Sequence, residues 1–222
     1  MTTIGLFGGT FNPIHSGHIE TVLEVKNSFR LETVYLIPAS QPPHKTNREI
    51  AAAADRTAML KIAVSRIAGL EISETEINRA GLSYSVDTVD EFKRRFSRAA
   101  GLFFILGLDA FIEIHTWKAY PRLFDQVSFI VMTRPGADSR QSPPVHESLQ
   151  AFLDARISDG YVFESSTGCF RHSILQPIRL FETTPMAISS TEIRKRIMTR
   201  QPFGHLLPEG VSDYIIRKGL YR

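Results

Sequence analysis

The chain has 222 residues, of which 43% are hydrophobic, and its formal net charge is +3. This length suffices for one sizeable core, so we predict a single domain over residues 1–222. No apolar run approaches the roughly 20 residues that span a bilayer, which excludes a helical membrane protein. The small net charge does not favour a nucleic-acid partner. Cys169 is the only cysteine, so no intrachain disulfide can form, and the absence of a basic leader pattern predicts a cytoplasmic protein.

Short apolar runs alternate with helical patterns along the chain. The runs are Thr3–Phe7, Thr33–Ile37, Leu70–Ser73, Leu102–Leu106 and Val127–Met132. Such alternation is typical of an α/β fold with a doubly wound parallel sheet. In open sheets of this kind the ligand binds at the carboxyl ends of the strands. We therefore expect the functional residues in the segments that follow these runs.

The first run leads into a glycine-rich turn that carries two histidines, His15 and His18. Gly8 and Gly9 allow unusual dihedrals and a close backbone approach, and Pro13 fixes a bend. A helix predicted to open near residue 17 or 18 would direct its free N–H groups to the space that the imidazoles face. The pattern predicts a phosphate site. Zinc is disfavoured, because no Cys, Asp or Glu nearby completes a tetrahedral ligand set.

A second phosphate pattern, Ile188–Arg194, lies near the end of the chain. Ser189, Ser190 and Thr191 are N-cap residue types, and an amphipathic helix follows them. Arg194 is suited to bidentate contact with a phosphate. This pattern opens a predicted C-terminal helical segment of about residues 189–222. The similar triplet Ser165–Thr167 has no helical pattern after it, so we predict a loop there.

These two patterns resemble the signatures of the H-x-G-H nucleotidyltransferases, with His15-Ser16-Gly17-His18 as the first. Further motifs resemble the bacterial nicotinate mononucleotide adenylyltransferases: Ile37-Pro38-Ala39, Pro42-Pro43-His44-Lys45, Ser83–Thr88, Gly107-Leu108-Asp109, Trp117 and Leu207–Tyr221. The resemblance spans nearly the whole chain and implies a Rossmann-like nucleotidyltransferase fold. It also implies transfer of AMP from ATP to nicotinate mononucleotide, with Mg²⁺ bridging the triphosphate. Ser85 replaces the threonine expected in the family, and residues 137–176 match no motif.

The resemblance assigns roles residue by residue. The catalytic residues it implies are His15, His18, Lys45 and Arg194. The ATP-binding residues it implies are Gly8, Gly9, Thr10, Phe11, His15, His18, Gly107, Asp109, Ile188, Ser190, Thr191 and Arg194. The mononucleotide-binding residues it implies are Asn12, Lys45, Ser83, Tyr84, Thr88, Trp117 and Arg134. No protein ligand for a metal is expected, and the remaining histidines are interpreted as structural or surface residues.

Several alternatives stay open from the sequence. Trp117 as a core residue and Lys45 as a solvated loop lysine are both serious possibilities. A first alternative is that the acceptor is nicotinamide mononucleotide, or that both mononucleotides are accepted. A second is a different phosphate acceptor, such as phosphopantetheine or glycerol phosphate. A nucleotide-binding protein without turnover is a third reading, which intact His15, His18 and Arg194 disfavour. The expected partners are small-molecule substrates, and homo-oligomer formation is left open.

Overall fold

A computed structural model describes residues 2–40, 50–79, 81–96, 100–134 and 143–222. Its strands are β1 (Thr3–Gly9), β2 (Thr33–Pro38), β3 (Leu70–Ile72), β4 (Gly101–Gly107), β5 (Ser128–Thr133), β6 (Val162–Glu164), β7 (Cys169–Arg171) and β8 (Ile178–Glu182). Its helices are α1 (Ser16–Ser28), α2 (Ala53–Val64), α3 (Thr75–Asn78), α4 (Ser85–Arg95), α5 (Leu108–Ile112), α6 (Tyr120–Gln126), α7 (Val145–Arg156), α8 (Ser190–Met198) and α9 (Val211–Lys218). None of these helices is both long and apolar enough to cross a membrane.

The strands form a sheet in the order β3-β2-β1-β4-β5-β8-β7-β6. The β2–β3, β4–β5 and β5–β8 pairs are parallel, whereas β7 runs antiparallel to β8 and β6 antiparallel to β7. The predicted α/β fold with a mainly parallel sheet is confirmed, and the five predicted strands correspond to β1–β5. The antiparallel edge is an addition that the sequence did not indicate.

The strands that the sequence did not indicate account for part of residues 137–176, the stretch that matches no motif. This stretch contains α7 and the β6–β7 pair, and the triplet Ser165–Thr167 lies in the turn between those two strands, as predicted. β6 and β7 have only three residues each, which is too short for an alternating pattern to stand out. Residues 135–142 lie outside the described part of the chain.

Contacts divide the chain into two compact units. The central unit comprises the residues up to Leu6 and Tyr84–Pro185, and the phosphate-loop unit comprises Phe7–Ser83 and Met186–Arg222. The core of the central unit is aromatic: Phe129 packs 5.5 Å from Phe111 and 4.8 Å from Phe124, measured between ring centroids. A single domain over residues 1–222 stays a prediction.

The core of the phosphate-loop unit forms between its strands and helices. α1 buries Ile19, Val22 and Val25, which lie on one face at helical spacing and pack towards β2. α2 packs against β2 and β3 on one side and against α9 on another. This packing places the glycines that end β1 and the start of α1 at one edge of the unit. The first predicted motif begins there.

Candidate active site

The segment between β1 and α1 is shaped by Gly9 and Phe11. Phe11 has a φ of +48°, a left-handed conformation that non-glycine residues seldom adopt. A Cβ atom on Gly9 would lie 2.9 Å from Cζ of the Phe11 ring, so only glycine leaves room for this ring. The Phe11 ring in turn meets the His18 ring edge to face, with 5.4 Å between centroids. Gly9 and Phe11 therefore position His18.

His15 and His18 form a stacked pair at the start of α1. Their ring centroids are 3.6 Å apart and the ring planes differ by 28°. His15 is the N-cap residue and α1 begins at Ser16, slightly earlier than the predicted start near residue 17 or 18. A Cβ atom on Gly17 would lie 3.1 Å from Nδ1 of His15. The glycine between the histidines is thus needed for the His15 ring to occupy its position.

Both imidazoles are neutral at neutral pH. Burial lowers the pKa of His15 to about 4. Burial, and then the neighbouring His15, lower the pKa of His18 to about 3. Nδ1 of His18 accepts the backbone N–H of His15 at 3.3 Å, so the proton of the neutral His18 ring resides on Nε2. This pair therefore supplies N–H donors rather than positive charges.

The depressed pKa values predict a loss of stability in acid. The unfolded chain takes up a proton on each ring near pH 6.5, whereas the folded chain does so only near pH 3 to 4. The free energy of unfolding should therefore be unaffected by these rings above pH 6.5 and fall below it, by on the order of 1–2 kcal/mol per ring down to pH 5. Calorimetric Tm values of the ligand-free protein between about pH 8 and pH 5 measure this loss.

The control separates this histidine pair from general acid effects. His18→Asn should reduce the loss of Tm between pH 6.5 and 5, because it removes one of the two rings whose pKa is lowered. His205→Asn removes an exposed histidine and should leave the loss unchanged. An identical pH profile for the wild type and His18→Asn would contradict the assignment.

The second motif docks on the first through side-chain donors. Ser189 caps α8 by accepting the backbone N–H of Glu192 at 3.1 Å. Ser190 donates its hydroxyl to the Pro13 carbonyl at 2.8 Å, and Arg194 donates Nη1 to the Asn12 carbonyl at 2.9 Å. These contacts join residues 177 and 182 positions apart in the sequence. The predicted convergence of the two phosphate patterns is thus present in the phosphate-loop unit.

The central unit carries the predicted residues that follow β4. Gly107 ends this strand and caps α5, and Asp109 lies exposed in the first turn of that helix. Trp117 is half-buried, with its ring edge against Phe104 at 6.2 Å between centroids. Arg134 is exposed immediately after β5.

The start of α4 holds Tyr84 and Thr88. Thr88 is buried and donates its hydroxyl to the Tyr84 carbonyl at 3.4 Å. The backbone N–H groups of Asp87 and Thr88 also donate to this carbonyl. Among the described residues, the backbone N–H groups of Ser85 and Val86, in the first turn, have no such partner. These two N–H groups lie within the predicted Ser83–Thr88 motif.

Comparisons with known proteins agree with this arrangement. The cytidylyltransferase-like family model matches residues 6–196. A Desulfatibacillum aliphaticivorans protein named "Probable nicotinate-nucleotide adenylyltransferase" is 43% identical over 98% of this chain and 99% of its own length. A Moorella thermoacetica protein of the same name is 38% identical over 99% of this chain and 91% of its own. The chain belongs to the nicotinate-nucleotide adenylyltransferase family.

The fold of this adenylyltransferase family member also matches a solved structure. The Plasmodium falciparum nicotinic acid mononucleotide adenylyltransferase complexed with NaAD superposes with a TM-score of 0.72. The match covers 100% of this chain and 98% of the other, at 17% sequence identity. At that identity the likeness concerns the fold. It confirms the nucleotidyltransferase architecture that the motifs implied.

The predicted residues of this adenylyltransferase are divided between the two units. The phosphate-loop unit gathers one set, which is Gly8, Gly9, Thr10, Phe11, Asn12, His15, His18, Ser83, Ile188, Ser190, Thr191 and Arg194. The central unit holds the rest of the described set, which is Tyr84, Thr88, Gly107, Asp109, Trp117 and Arg134. Lys45 and its Pro-Pro-His-Lys motif lie outside the described residues. Ser83 accepts the backbone N–H of Ser40 at 2.9 Å.

Arg56 is a residue of the adenylyltransferase that the sequence analysis missed. It is only 1% exposed, and its guanidinium donates to the backbone carbonyls of Ala51, Thr10 and Ser40 at 3.0, 2.8 and 3.3 Å. A signal was available in the sequence, because Arg56 precedes Met59, Leu60 and Ala63 at the spacing of one apolar helix face. A lone arginine on such a face indicates a buried cation with dedicated acceptors.

Proposed function

We propose that this protein transfers AMP from ATP to nicotinate mononucleotide, which forms nicotinic acid adenine dinucleotide and pyrophosphate in NAD biosynthesis. The observation that carries this proposal is the docking of Ser190 and Arg194 on the loop that ends in the stacked His15–His18 pair. A helix start with two neutral N–H donors beside an arginine suits a polyphosphate chain. The full-length relatives carry the name of this activity.

The proposed reaction is a direct in-line displacement. An oxygen of the mononucleotide phosphate attacks the α-phosphorus of ATP and forms the new P–O bond. The bond from the α-phosphorus to the bridging oxygen breaks, and pyrophosphate leaves with the electron pair. Because the nucleophile is already an anion, the protein needs no covalent intermediate and no strong base. Its tasks are to align two phosphates that repel each other and to disperse the developing charge.

The residue roles follow from the types of donor. His15 and His18 contact the α- and β-phosphates as neutral N–H donors, and the Nε2–H of His18 is the donor that its internal hydrogen bond leaves available. Ser190, Thr191 and Arg194 contact the β- and γ-phosphates. Lys45 contributes a further positive charge to the reacting phosphates. Neutral donors stabilise negative charge without themselves needing a counter-ion in the buried site.

The central unit supplies most of the proposed contacts to the organic groups. Asp109, with Gly107 beside it, accepts hydrogen bonds from the adenosine ribose. Thr88 and Trp117 flank the pyridine ring, and the half-buried state of Trp117 leaves surface for that stacking. The other proposed mononucleotide contacts are Asn12, Ser83, Tyr84 and Arg134.

Mg²⁺ enters this proposal as part of the Mg-ATP substrate. Among the described residues, no three or more His, Cys, Asp or Glu side chains lie where they would jointly hold a metal ion. Mg²⁺ commonly keeps several waters and binds through substrate phosphates, so a dedicated protein cage is not needed. When bound, it neutralises charge on the triphosphate. The proposed partners are therefore two small molecules, and the proposed compartment is the cytoplasm.

Pyrophosphate release from Mg-ATP tests the function against a panel of acceptors. We expect release with nicotinate mononucleotide and recovery of the dinucleotide in equal amount. Nicotinamide mononucleotide, phosphopantetheine, glycerol phosphate and a mixture without acceptor serve as comparisons. Faster release with phosphopantetheine or glycerol phosphate would contradict the acceptor, and absence of release with every acceptor would contradict the enzyme assignment.

Arg194→Lys is expected to raise the KM for ATP about 10-fold or more, because charge-assisted bonds of arginine are worth roughly 1.5–3 kcal/mol. A lysine cannot donate to the Asn12 carbonyl and to a phosphate with the same planar geometry. The matched control is Arg196→Lys on the same helix, where Arg196 pairs with Glu192 instead. Steady-state kinetics measures both variants. Equal KM values for ATP in the two variants would count against contact with the triphosphate.

A further inference from the structure

The loop of residues 10–13 is held by donors from distant parts of the chain. Arg56 donates to the Thr10 carbonyl at 2.8 Å, and Arg194 and Ser190 donate to the carbonyls of Asn12 and Pro13. The side chain of Asn12 takes part as well. Its Oδ1 accepts the backbone N–H of Ala51 at 2.9 Å and the hydroxyl of Tyr221 at 2.9 Å. The loop conformation is therefore set by groups outside the loop.

Tyr221 is the penultimate residue and reaches Asn12 through a specific turn. α9 ends at Lys218, and Gly219 follows with a φ of +63°, the left-handed conformation that commonly terminates helices. Tyr221 itself has a φ of +63°, which is sparsely populated for a tyrosine and must be held by its surroundings. Its hydroxyl spans 209 positions of sequence to the side chain of Asn12.

The direction of this hydrogen bond is fixed by chemistry. Burial raises the pKa of Tyr221, although nearby Arg194 and Arg56 oppose the shift, so the phenol stays protonated at neutral pH. An amide oxygen can only accept, which makes the Tyr221 hydroxyl the donor. Asn12 is 6% exposed, so loss of this donor leaves part of a buried acceptor without its partner. The main-chain carbonyl of the same Asn12 receives Arg194.

We propose that Tyr221 is a positioning residue for the transfer reaction: its hydroxyl fixes Asn12, and Asn12 in turn fixes Arg194 and the segment that leads into the His15–His18 pair. The last turn of the chain thereby completes the phosphate site that begins at the other end of the sequence. This proposal rests on the proposed function for its kinetic consequence. Its geometric content does not depend on which reaction the site performs.

Tyr221→Phe removes the hydroxyl and keeps the ring. We expect kcat to fall about 3- to 10-fold, the range that corresponds to one buried hydrogen bond. The KM for ATP should change less than about 2-fold, because the Arg194 guanidinium is retained to bind ATP and only its alignment, which the transition state requires most, is affected. Tyr214→Phe is the matched control. Its hydroxyl donates at 2.7 Å to Asp55 on α2 and not to the loop.

A merely structural tyrosine would give a different result. In that case Tyr221→Phe and Tyr214→Phe would lower Tm alike, and kcat would stay at the wild-type value in both. That outcome would overturn the proposal. A fall of kcat confined to Tyr221→Phe, with comparable Tm values in the two variants, would support it.

A second readout needs no turnover. The ring ¹⁵N resonances of His15 and His18 report the geometry of the stacked pair in the ligand-free protein. We expect them to shift in Tyr221→Phe and to match the wild type in Tyr214→Phe, and unchanged resonances in both variants would overturn the proposal. A wild-type protein that fails to release pyrophosphate would refute the proposed function, while these resonances would still decide the role of Tyr221.

Discussion

His18→Ala is expected to lower kcat about 10²-fold or more, with a milder change in the KM for ATP. The neutral His18 ring has its Nδ1 occupied by the His15 backbone, which leaves Nε2–H as a donor with a fixed orientation. Such a donor stabilises charge that develops on the phosphates in the transition state and needs no reorganisation. Removal of this donor therefore affects the chemical step more than binding.

Loss of packing must be separated from loss of the donor. His18 contacts both the His15 ring and the Phe11 ring, so alanine also removes packing from the loop. The Tm of His18→Ala, measured beside kcat, establishes that the variant is folded at the assay temperature. His205→Ala, at an exposed position, is the control for histidine removal. A near-normal kcat in a folded His18→Ala protein would refute the assigned role.

The preference for nicotinate over nicotinamide mononucleotide is expected to reach at least about 10²-fold in kcat/KM. The motivating feature is the start of α4, where the N–H groups of Ser85 and Val86 have no partner among the described residues. A carboxylate accepts from both groups and is favoured by the positive end of the helix. A carboxamide would direct its NH₂ group towards donors, at a cost on the order of 1–3 kcal/mol.

Ser85→Pro tests this explanation because it removes a single backbone N–H group. Proline is well tolerated at the first residue of a helix, and it removes the N–H group at that position. The preceding Tyr84 has an extended backbone, with φ −106° and ψ 129°, which accommodates a following proline. The ratio of kcat/KM values should fall in Ser85→Pro and persist in Ser85→Ala, which keeps the N–H group.

Two outcomes would oppose this account. Equal efficiency of the wild type with both mononucleotides would overturn the acceptor assignment and leave adenylyl transfer intact. An unchanged preference in Ser85→Pro would move the source of selectivity away from the start of α4. Both are read from the same kinetics at saturating Mg-ATP.

Local sequence patterns were sufficient to predict much of the fold and the helix start that carries the second phosphate motif. The strands β1, β2, β4 and β5 have six or seven residues each, at least four of them buried, so their positions were predictable within one or two residues. The start of α8 was marked by Ser189, which caps it as its residue type indicates. α4 begins at Ser85, within the predicted Ser83–Thr88 motif.

The sequence by itself determined which chemical groups the protein possesses: a glycine-rich turn with two histidines, a capped helix with an arginine, and an α/β framework to carry them. Only the tertiary structure decided the protonation of His15 and His18, because burial lowers both pKa values and the neighbouring His15 lowers that of His18 further. It also decided the parts played by Arg56 and Tyr221. Arg56 donates to Thr10, 46 positions away, and Tyr221 donates to Asn12, 209 positions away. No local pattern encodes a contact between such distant residues.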